Sequence, residues 1–301
     1  MKKFDEAEMK NIRKSIKKRD RPEAIIPLQG TKNKGIDPDT GEGYRYESEI
    51  DIERKKKFAR MNSNRKQNKF TNTNMDKIDY ICEQLTNAQI GYLMILQCFI
   101  DYKGKLVKSQ KDKTPIKTAD FLRILGLEDK RRTFYDFKDK CLAKGILIYT
   151  AEEKTYSINK EYIFKGAFGG MNVVSMVTKG IKEGLEGNKP EELAMIFKLQ
   201  QFVNFKTMAL VKNPDETDSN KLDFMKQKDL AEALDVTTSY LSRKLYQIKI
   251  KGEYIVAKIK VGTEPTKFML NPNIFFRGDY VQTQETIAVD VAPFFKVRKK
   301  N

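Results

Sequence analysis

Ile158-Asn159-Lys160-Glu161-Tyr162-Ile163-Phe164-Lys165-Gly166 and Leu270-Asn271-Pro272-Asn273-Ile274-Phe275-Phe276-Arg277-Gly278 are two versions of one nonapeptide. Each runs aliphatic, Asn, two variable residues, two apolar residues, Phe, a basic residue, Gly. Upstream of each lies the same predicted order: a long apolar helix, a short helix, a basic helix and two strands. A doubled unit of this kind means two copies of one domain plan.

In the first copy, Thr86-Asn87-Ala88-Gln89 reads as a capping box. The helix that follows, to about residue 101, is apolar on most faces, as a core helix is. Thr118 starts a short helix with Phe121, Leu122 and Leu125 apolar, stopped by Gly126. A third helix over about 129–144 carries Lys130, Arg131, Arg132, Tyr135, Lys138 and Lys140, and Gly145 ends it. Two β-rich runs, 146–150 and 155–158, then flank a polar turn.

In the second copy, Pro190 sits at the start of a helix over 191–205, where its missing N–H costs nothing. Residues 226–234 form the short helix and 238–251 the third, with Thr238, Ser239, Tyr240, Ser242, Arg243 and Lys244 near its start. Strands over 254–261 and 267–270 bring in Lys258, Lys260 and Lys267. The copies align at Asp120 and Asp229, at Gly145 and Gly252, and at Gly166 and Gly278.

Helix, helix-turn-helix and hairpin together are the winged helix-turn-helix pattern. The short helix crosses the phosphate backbone so that the next helix lays its early residues on base edges in the major groove. The expected fold is therefore α+β, mainly α, with two tandem winged helix-turn-helix domains and a basic N-terminal arm. The expected division is a partly disordered arm at 1–75, domain one at 76–166, a Gly-rich connector at 167–187, domain two at 188–278, and an extension with a basic tail at 279–301.

Charge fits this reading. The 301 residues hold 58 Lys+Arg against 41 Asp+Glu, a net charge of +17, and 40% are hydrophobic. Such a field gathers polyanions. Within the arm no acid occurs between Glu53 and Asp76, while Arg54, Lys55, Lys56, Lys57, Arg60, Arg65, Lys66 and Lys69 do. These could track phosphates; a solvated linker is the other reading. The longest apolar stretch, 90–100, is too short to span a bilayer, and residues 1–6 lack a signal-peptide core, so no membrane association is expected and a cytoplasmic location is.

The sequence has no histidine, which removes imidazole metal sites and His-based acid, base or nucleophile systems. Cys82, Cys98 and Cys141 are scattered, and the last two read as small buried hydrophobes in a reducing compartment. Residues 30–35 have the glycine spacing of a P-loop, but Ile36 and Asp37 stand where Lys and Ser/Thr belong. A nickase using Tyr with carboxylates would need a clustered acidic motif, which the sequence lacks. No enzyme, metal or cofactor is expected.

The closing motif at 270–278, directly after a winged helix pattern, resembles that of replication proteins from plasmids and phages of low-GC Gram-positive bacteria. In shape the chain is similar to theta-type initiators made of two winged helix domains. That resemblance implies an origin-binding protein that recognises repeated DNA sites and recruits host replication proteins, and it carries no catalytic residues. Double-stranded DNA is the expected partner, with a homodimer as a further option. A phage or plasmid transcription regulator reads DNA by the same pattern, and a factor acting by binding a host protein is the third alternative, the first copy being its candidate module.

Overall fold

The computed structural model describes residues 26–27, 34–36, 43–45, 70–109, 111–167, 169–178, 187–250, 252–260, 263, 265–278 and 283–296, in which the chain is α+β. It divides into two units, Met1–Arg60 and Met61–Asn301. The first unit contains β1 (Ile26–Pro27), β2 (Lys34–Ile36) and β3 (Gly43–Arg45) in an antiparallel sheet of that order. Ile26 faces Ile36 and Gly35 faces Tyr44. A sheet here differs from the arm expected over 1–75. The arm cations Arg54 to Lys69 lie outside the described residues.

In the second unit a four-stranded sheet is built from β4 (Phe70–Asn74), β7 (Ile163–Phe164), β8 (Val173–Val177) and β13 (Phe275–Phe276), in the order β13-β8-β4-β7. β4 and β8 pair antiparallel at the centre, Asn72 facing Ser175. Outside them, Asn72 also pairs with Phe164, and Ser175 with Phe276. Exchanging the two halves of the sequence therefore maps this pairing pattern onto itself, with a twofold through Asn72 and Ser175. The Ser175 hydroxyl donates to Asn72 Oδ1 at 2.7 Å there, which satisfies two buried polar groups at once.

The helices obey the same relation. After α1 (Ile78–Gln84) comes α2 (Asn87–Leu96), capped by Thr86, and in its counterpart α5 (Pro190–Leu199) the Glu192 carboxylate accepts from the N–H of the preceding Lys189 at 3.2 Å. Single 3₁₀ turns follow, Gln97–Phe99 and Gln200–Phe202, and then the bridge residues Ile100 and Val203. All these equivalences keep the 103-residue spacing of Asn72 and Ser175. α2 and α5 pack on each other, so the two apolar helices bury their faces mutually rather than in separate cores.

Each half continues with a helix pair: α3 (Thr118–Leu125) and α4 (Arg131–Ala143) in the first, α6 (Gln227–Ala233) and α7 (Thr238–Lys244) in the second. Asp120 and Asp229 occupy the same place. Each accepts from the backbone N–H that caps its helix, of Lys117 and Lys226, and each pairs with a lysine, Lys108 at 3.8 Å and Lys212 at 3.0 Å. The turn between helices needs a left-handed residue, supplied by Gly126 (φ 64°) and by Asp235 (φ 53°). Hairpins follow: β5 (Leu147–Thr150) with β6 (Thr155–Ile158), and β11 (Val256–Ile259) with β12 (Lys267–Leu270). Each is joined by a β-bridge from upstream, where Leu106 N–H donates to Tyr156 O at 2.8 Å and Leu210 N–H to Phe268 O at 2.7 Å.

The nonapeptide turns the chain from hairpin into central sheet. Asn159 and Asn271 use their Nδ2 to hold the carbonyls of Gly145 (3.0 Å) and Tyr254 (2.9 Å), and their Oδ1 accepts from Glu161 and Asn273 N–H. This corrects the expected alignment of Gly145 with Gly252 in one respect. Ile146 follows Gly145 directly, whereas Glu253 and Tyr254 intervene before the equivalent Ile255. The extra residues form a small hairpin, β9 (Lys249–Ile250) with β10 (Glu253–Tyr254). The third helix of the second half is accordingly shorter than 238–251. After the 3₁₀ turn Leu245–Gln247, Ile248 and Ile250 are buried around exposed Lys249, a strand alternation that ends the helix.

The expected domain limits also shift. β4 comes from the expected arm and β8 from the expected connector, and both halves belong to one unit joined by these strands. Cys141 is buried and its thiol is pushed up to about 12 by burial. Cys82 and Cys98 are half-buried, and burial raises the Cys82 thiol to about 11, so neither Cys82 nor Cys141 is a ready nucleophile.

Gln97 and Gln200 are both fully buried. Gln97 accepts from the Thr73 hydroxyl at 3.4 Å and donates to Met176 Sδ at 3.3 Å, while neither amide atom of Gln200 has a partner among the described residues. Gln200→Met keeps the volume and removes that cost. Its expected effect is a gain of about 1–2 kcal/mol in denaturant unfolding; a loss would show that buried water satisfies the amide.

Candidate nucleic-acid interface

α7 is capped by Thr237, whose hydroxyl accepts from Tyr240 N–H at 3.2 Å, and it is fixed to the core by buried Leu241. Thr238, Ser239, Ser242 and Arg243 are exposed along its length, and Tyr240 is half-buried. The Arg243 guanidinium lies 6.0 Å from the Tyr240 ring centroid, within cation–π range, so the ring restrains the arginine without neutralising it. Ser242 donates to Thr238 O at 2.9 Å and accepts from Gln227 Nε2. Gln227 thereby links the first turn of α6 to α7, a positioning role that the sequence does not announce. The capping pattern from Lys226 to Asp229 is the available signal, since it places Gln227 in that first turn.

Lys244 does not join this exposed set. Its Nζ pairs with Glu192 of α5 at 3.4 Å, and both side chains are largely covered. A lysine at the last turn of this short helix is thus directed toward the core helix beside it. On the second hairpin Lys258 and Lys260 are exposed. Lys267 is half-buried, with its Nζ 5.3 Å from the Phe224 ring centroid.

α4 is the counterpart of α7, since Phe134 N–H donates to Lys130 O as Leu241 N–H does to Thr237 O. Arg131, Arg132 and Tyr135 thus occupy the places of Thr238, Ser239 and Ser242. All three are exposed, as is Lys130. Lys130, Arg131 and Arg132 crowd the positive end of the helix dipole with no acid in the first turn. Each such cation costs about 0.3–1 kcal/mol there, which an anion at the same end offsets. Lys138 lies 4.8 Å from the Tyr135 ring centroid and 3.1 Å from Asp139 Oδ1, so its charge is partly matched within the helix.

The two faces are alike in position and different in chemistry. The second presents hydroxyls, one arginine and a basic hairpin. The first presents cations at a helix start, and Ile148 and Tyr149 on β5 are exposed. The rings of Tyr135, Phe134, Phe121, Tyr156 and Tyr149 make a continuous run of contacts beneath it. Among the described residues no group of three or more His, Cys, Asp or Glu could hold a metal, and no helix is long and apolar enough to cross a membrane. No family model matches the chain, and no curated protein or solved structure compared with it does either.

Proposed function

We propose that each half is a winged helix-turn-helix unit and that the protein binds double-stranded DNA sequence-specifically, as a plasmid or phage replication initiator at origin repeats in the cytoplasm of a bacterial host. The observation that carries this reading is the α7 face. It is a capped helix whose first two turns expose Thr238, Ser239, Ser242 and Arg243, beside a hairpin carrying Lys258 and Lys260. Short hydroxyls and an exposed arginine on a helix start suit base edges, and lysines on a hairpin suit phosphates. The first half grips phosphates through Lys130, Arg131 and Arg132 or engages a host replication protein. No catalytic role is proposed.

Arg243→Ala is expected to cost about 1–3 kcal/mol of site binding and to relax preference at one base pair. Titration of specific and randomised duplexes measures both. Unchanged affinity and preference would remove α7 as the reader.

The internal twofold favours one further reading. A dimeric helix-turn-helix protein matches an inverted repeat because its symmetry is that of the site. A single chain with twofold-related halves would read one inverted operator in the same way, which is the geometry of a transcription regulator. Footprinting across DNA flanking the protein's own gene separates the two. A ladder of protected repeats with melting of nearby AT-rich DNA supports initiation; one protected operator without melting supports regulation. No protection at any salt overturns DNA reading altogether.

A further inference from the structure

Between its 3₁₀ turn and its short helix each half runs through a loop, and hydrogen bonds match one loop to the other. Asp101 Oδ1 accepts from Lys103 N–H at 2.8 Å as Asn204 Oδ1 accepts from Lys206 N–H at 3.1 Å. Val107 bridges Pro115 as Val211 bridges Phe224. Lys108 N–H donates to Thr114 O at 3.0 Å as Lys212 N–H does to Asp223 O at 2.8 Å, and Ile116 and Met225 N–H return to Leu106 and Leu210 O. The main difference is the tip between these anchors: five residues, 109–113, in the first half and ten, 213–222, in the second.

The long tip turns inward. Asn204 Nδ2 donates to Pro214 O at 3.0 Å and to Glu216 O at 2.9 Å, and Lys206 Nζ donates to Thr217 O. Pro214 O and Asp215 also hold Arg277 of the closing nonapeptide. Charge is balanced there, since residues 206–226 hold four lysines and four acids. The short tip closes on itself instead. The Ser109 hydroxyl accepts from Lys111 N–H at 3.2 Å and from Asp112 N–H at 2.8 Å, and Asp112 Oδ1 accepts from Thr114 N–H at 2.9 Å.

The equivalent stretch of the first half, residues 103–117, holds six lysines and one acid, Asp112. Lys105 pairs with Glu153, while Lys103, Lys108, Lys111, Lys113 and Lys117 are exposed. Lys108 lies 3.8 Å from Asp120, but that carboxylate also meets Arg123 at 3.2 Å and accepts from Lys117 N–H at 3.1 Å. One acid shared among several cations leaves the loop positive. Gln110 lies outside the described residues and is no part of the site. Lys117 leads directly into α3, the helix that crosses the phosphate backbone in a helix-turn-helix complex.

We propose that this lysine loop is a phosphate-binding element, with Lys103, Lys108, Lys111, Lys113 and Lys117 set against the duplex backbone alongside α3. The inference rests on the DNA-binding reading above and gives the first half a sequence-independent contact separate from α4. Composition selects the partner. Residues 103–117 contain no aromatic residue and no arginine. Protein interfaces draw their energy from Tyr, Trp and Arg and are poor in Lys, and single strands are held by stacking on aromatic rings. Lysines alone suit the regular charge of a duplex.

The test measures salt dependence of duplex binding and hydroxyl-radical footprints for the full chain. Lys103→Gln, Lys111→Gln and Lys117→Gln together should make the salt slope shallower by about three, at about 0.9 for each phosphate no longer neutralised. Backbone protection should be lost beside the specific site, and the ratio of specific to random-duplex affinity should hold, because phosphate contacts carry no base information. As a control, Lys77→Gln, Lys144→Gln and Lys189→Gln together remove the same charge from exposed lysines elsewhere and should shift the slope by less than about one.

A wild-type slope in the loop variant overturns the inference while leaving the DNA reading intact. So does a control that flattens the slope equally, which would mean a diffuse field, and so does a loss confined to single-stranded DNA or to a protein partner. Circular dichroism checks folding; if the triple variant unfolds, Lys111→Gln alone decides, with an expected shift of about one. Wild-type protein that binds no duplex at any salt overturns the DNA reading itself, and this inference with it.

Discussion

Gly91→Ala should destabilise the protein by about 3 kcal/mol or more, and Gly91→Val should prevent folding. Helix propensity alone argues the opposite sign, since Ala in place of Gly inside a helix is worth up to about 1 kcal/mol. Geometry decides against it. A Cβ on Gly91 would stand 2.0 Å from the Pro190 carbonyl oxygen and 2.6 Å from Pro190 Cα. Those are backbone atoms at the first turn of α5, so no rotamer change relieves the clash, and the helices must move apart. Overpacking usually costs about 1–3 kcal/mol when side chains can adjust; here the whole α2–α5 layer must shift.

Ala194 occupies the twofold-related position and is fully buried without strain, so Ala194→Gly is the control. It should cost only about 1 kcal/mol, the propensity difference. Denaturant unfolding of both variants measures the contrast. Stability of Gly91→Ala at or above wild type would mean that the two helices are not seated on each other at this glycine. Because α2 and α5 lie between the halves, a folded but loosened variant should also lose duplex affinity by more than Arg243→Ala does.

How much of this is legible in the sequence follows from where polarity sits. The helices are readable because Thr86 with Gln89 is a cap in sequence and in space, and because the apolar runs after Thr86 and Pro190 can only be core. The duplicated nonapeptide is also readable, although as a family feature rather than as a turn built by Asn159 and Asn271. The central sheet is not. Phe70-Thr71-Asn72-Thr73-Asn74 looks like polar linker, and four of its five residues are buried. Its asparagines are satisfied from far away: Asn72 by Ser175 and the Gly166 carbonyl, Asn74 by the Glu161 carbonyl.

Polar strands of this kind are invisible to a hydrophobic period, because their partners come from another part of the chain. Val173-Val174-Ser175-Met176-Val177 carries a strand signal of its own that the neighbouring glycines obscure. On the candidate interface, exposure of Arg131, Arg132, Thr238, Ser239 and Arg243 follows from helix periodicity. The Lys244–Glu192 pair and the Gln227 bridge do not, since both depend on which helix lies alongside.

Arg277→Ala should cost about 3–5 kcal/mol and should act through folding rather than through DNA. Arg277 is 7% exposed. Its Nη1 donates to the carbonyls of Val203 and Pro214, both at 2.8 Å, and its Nη2 to Asn172 Oδ1 and to Asp215. The Phe205 ring lies 5.8 Å from the guanidinium carbon. Truncation leaves acceptors without a donor, each worth about 1–3 kcal/mol where buried. Asp215 is largely exposed and rehydrates, so its share is small.

The first half shows which replacement is tolerated. Lys165 holds the equivalent place, buried, with its Nζ 5.4 Å from the Tyr102 ring. Arg277→Lys should therefore lose less than Arg277→Ala, because an ammonium keeps the charge and the ring contact but cannot reach two carbonyls and two side chains in one plane. Thermal or denaturant unfolding gives the order wild type, Lys, Ala. The basic residue of the closing motif would then be a staple between β13 and the loop after α5. An Arg277→Ala protein with wild-type stability and abolished duplex binding would reverse this, making the motif a recognition element whose burial is incidental.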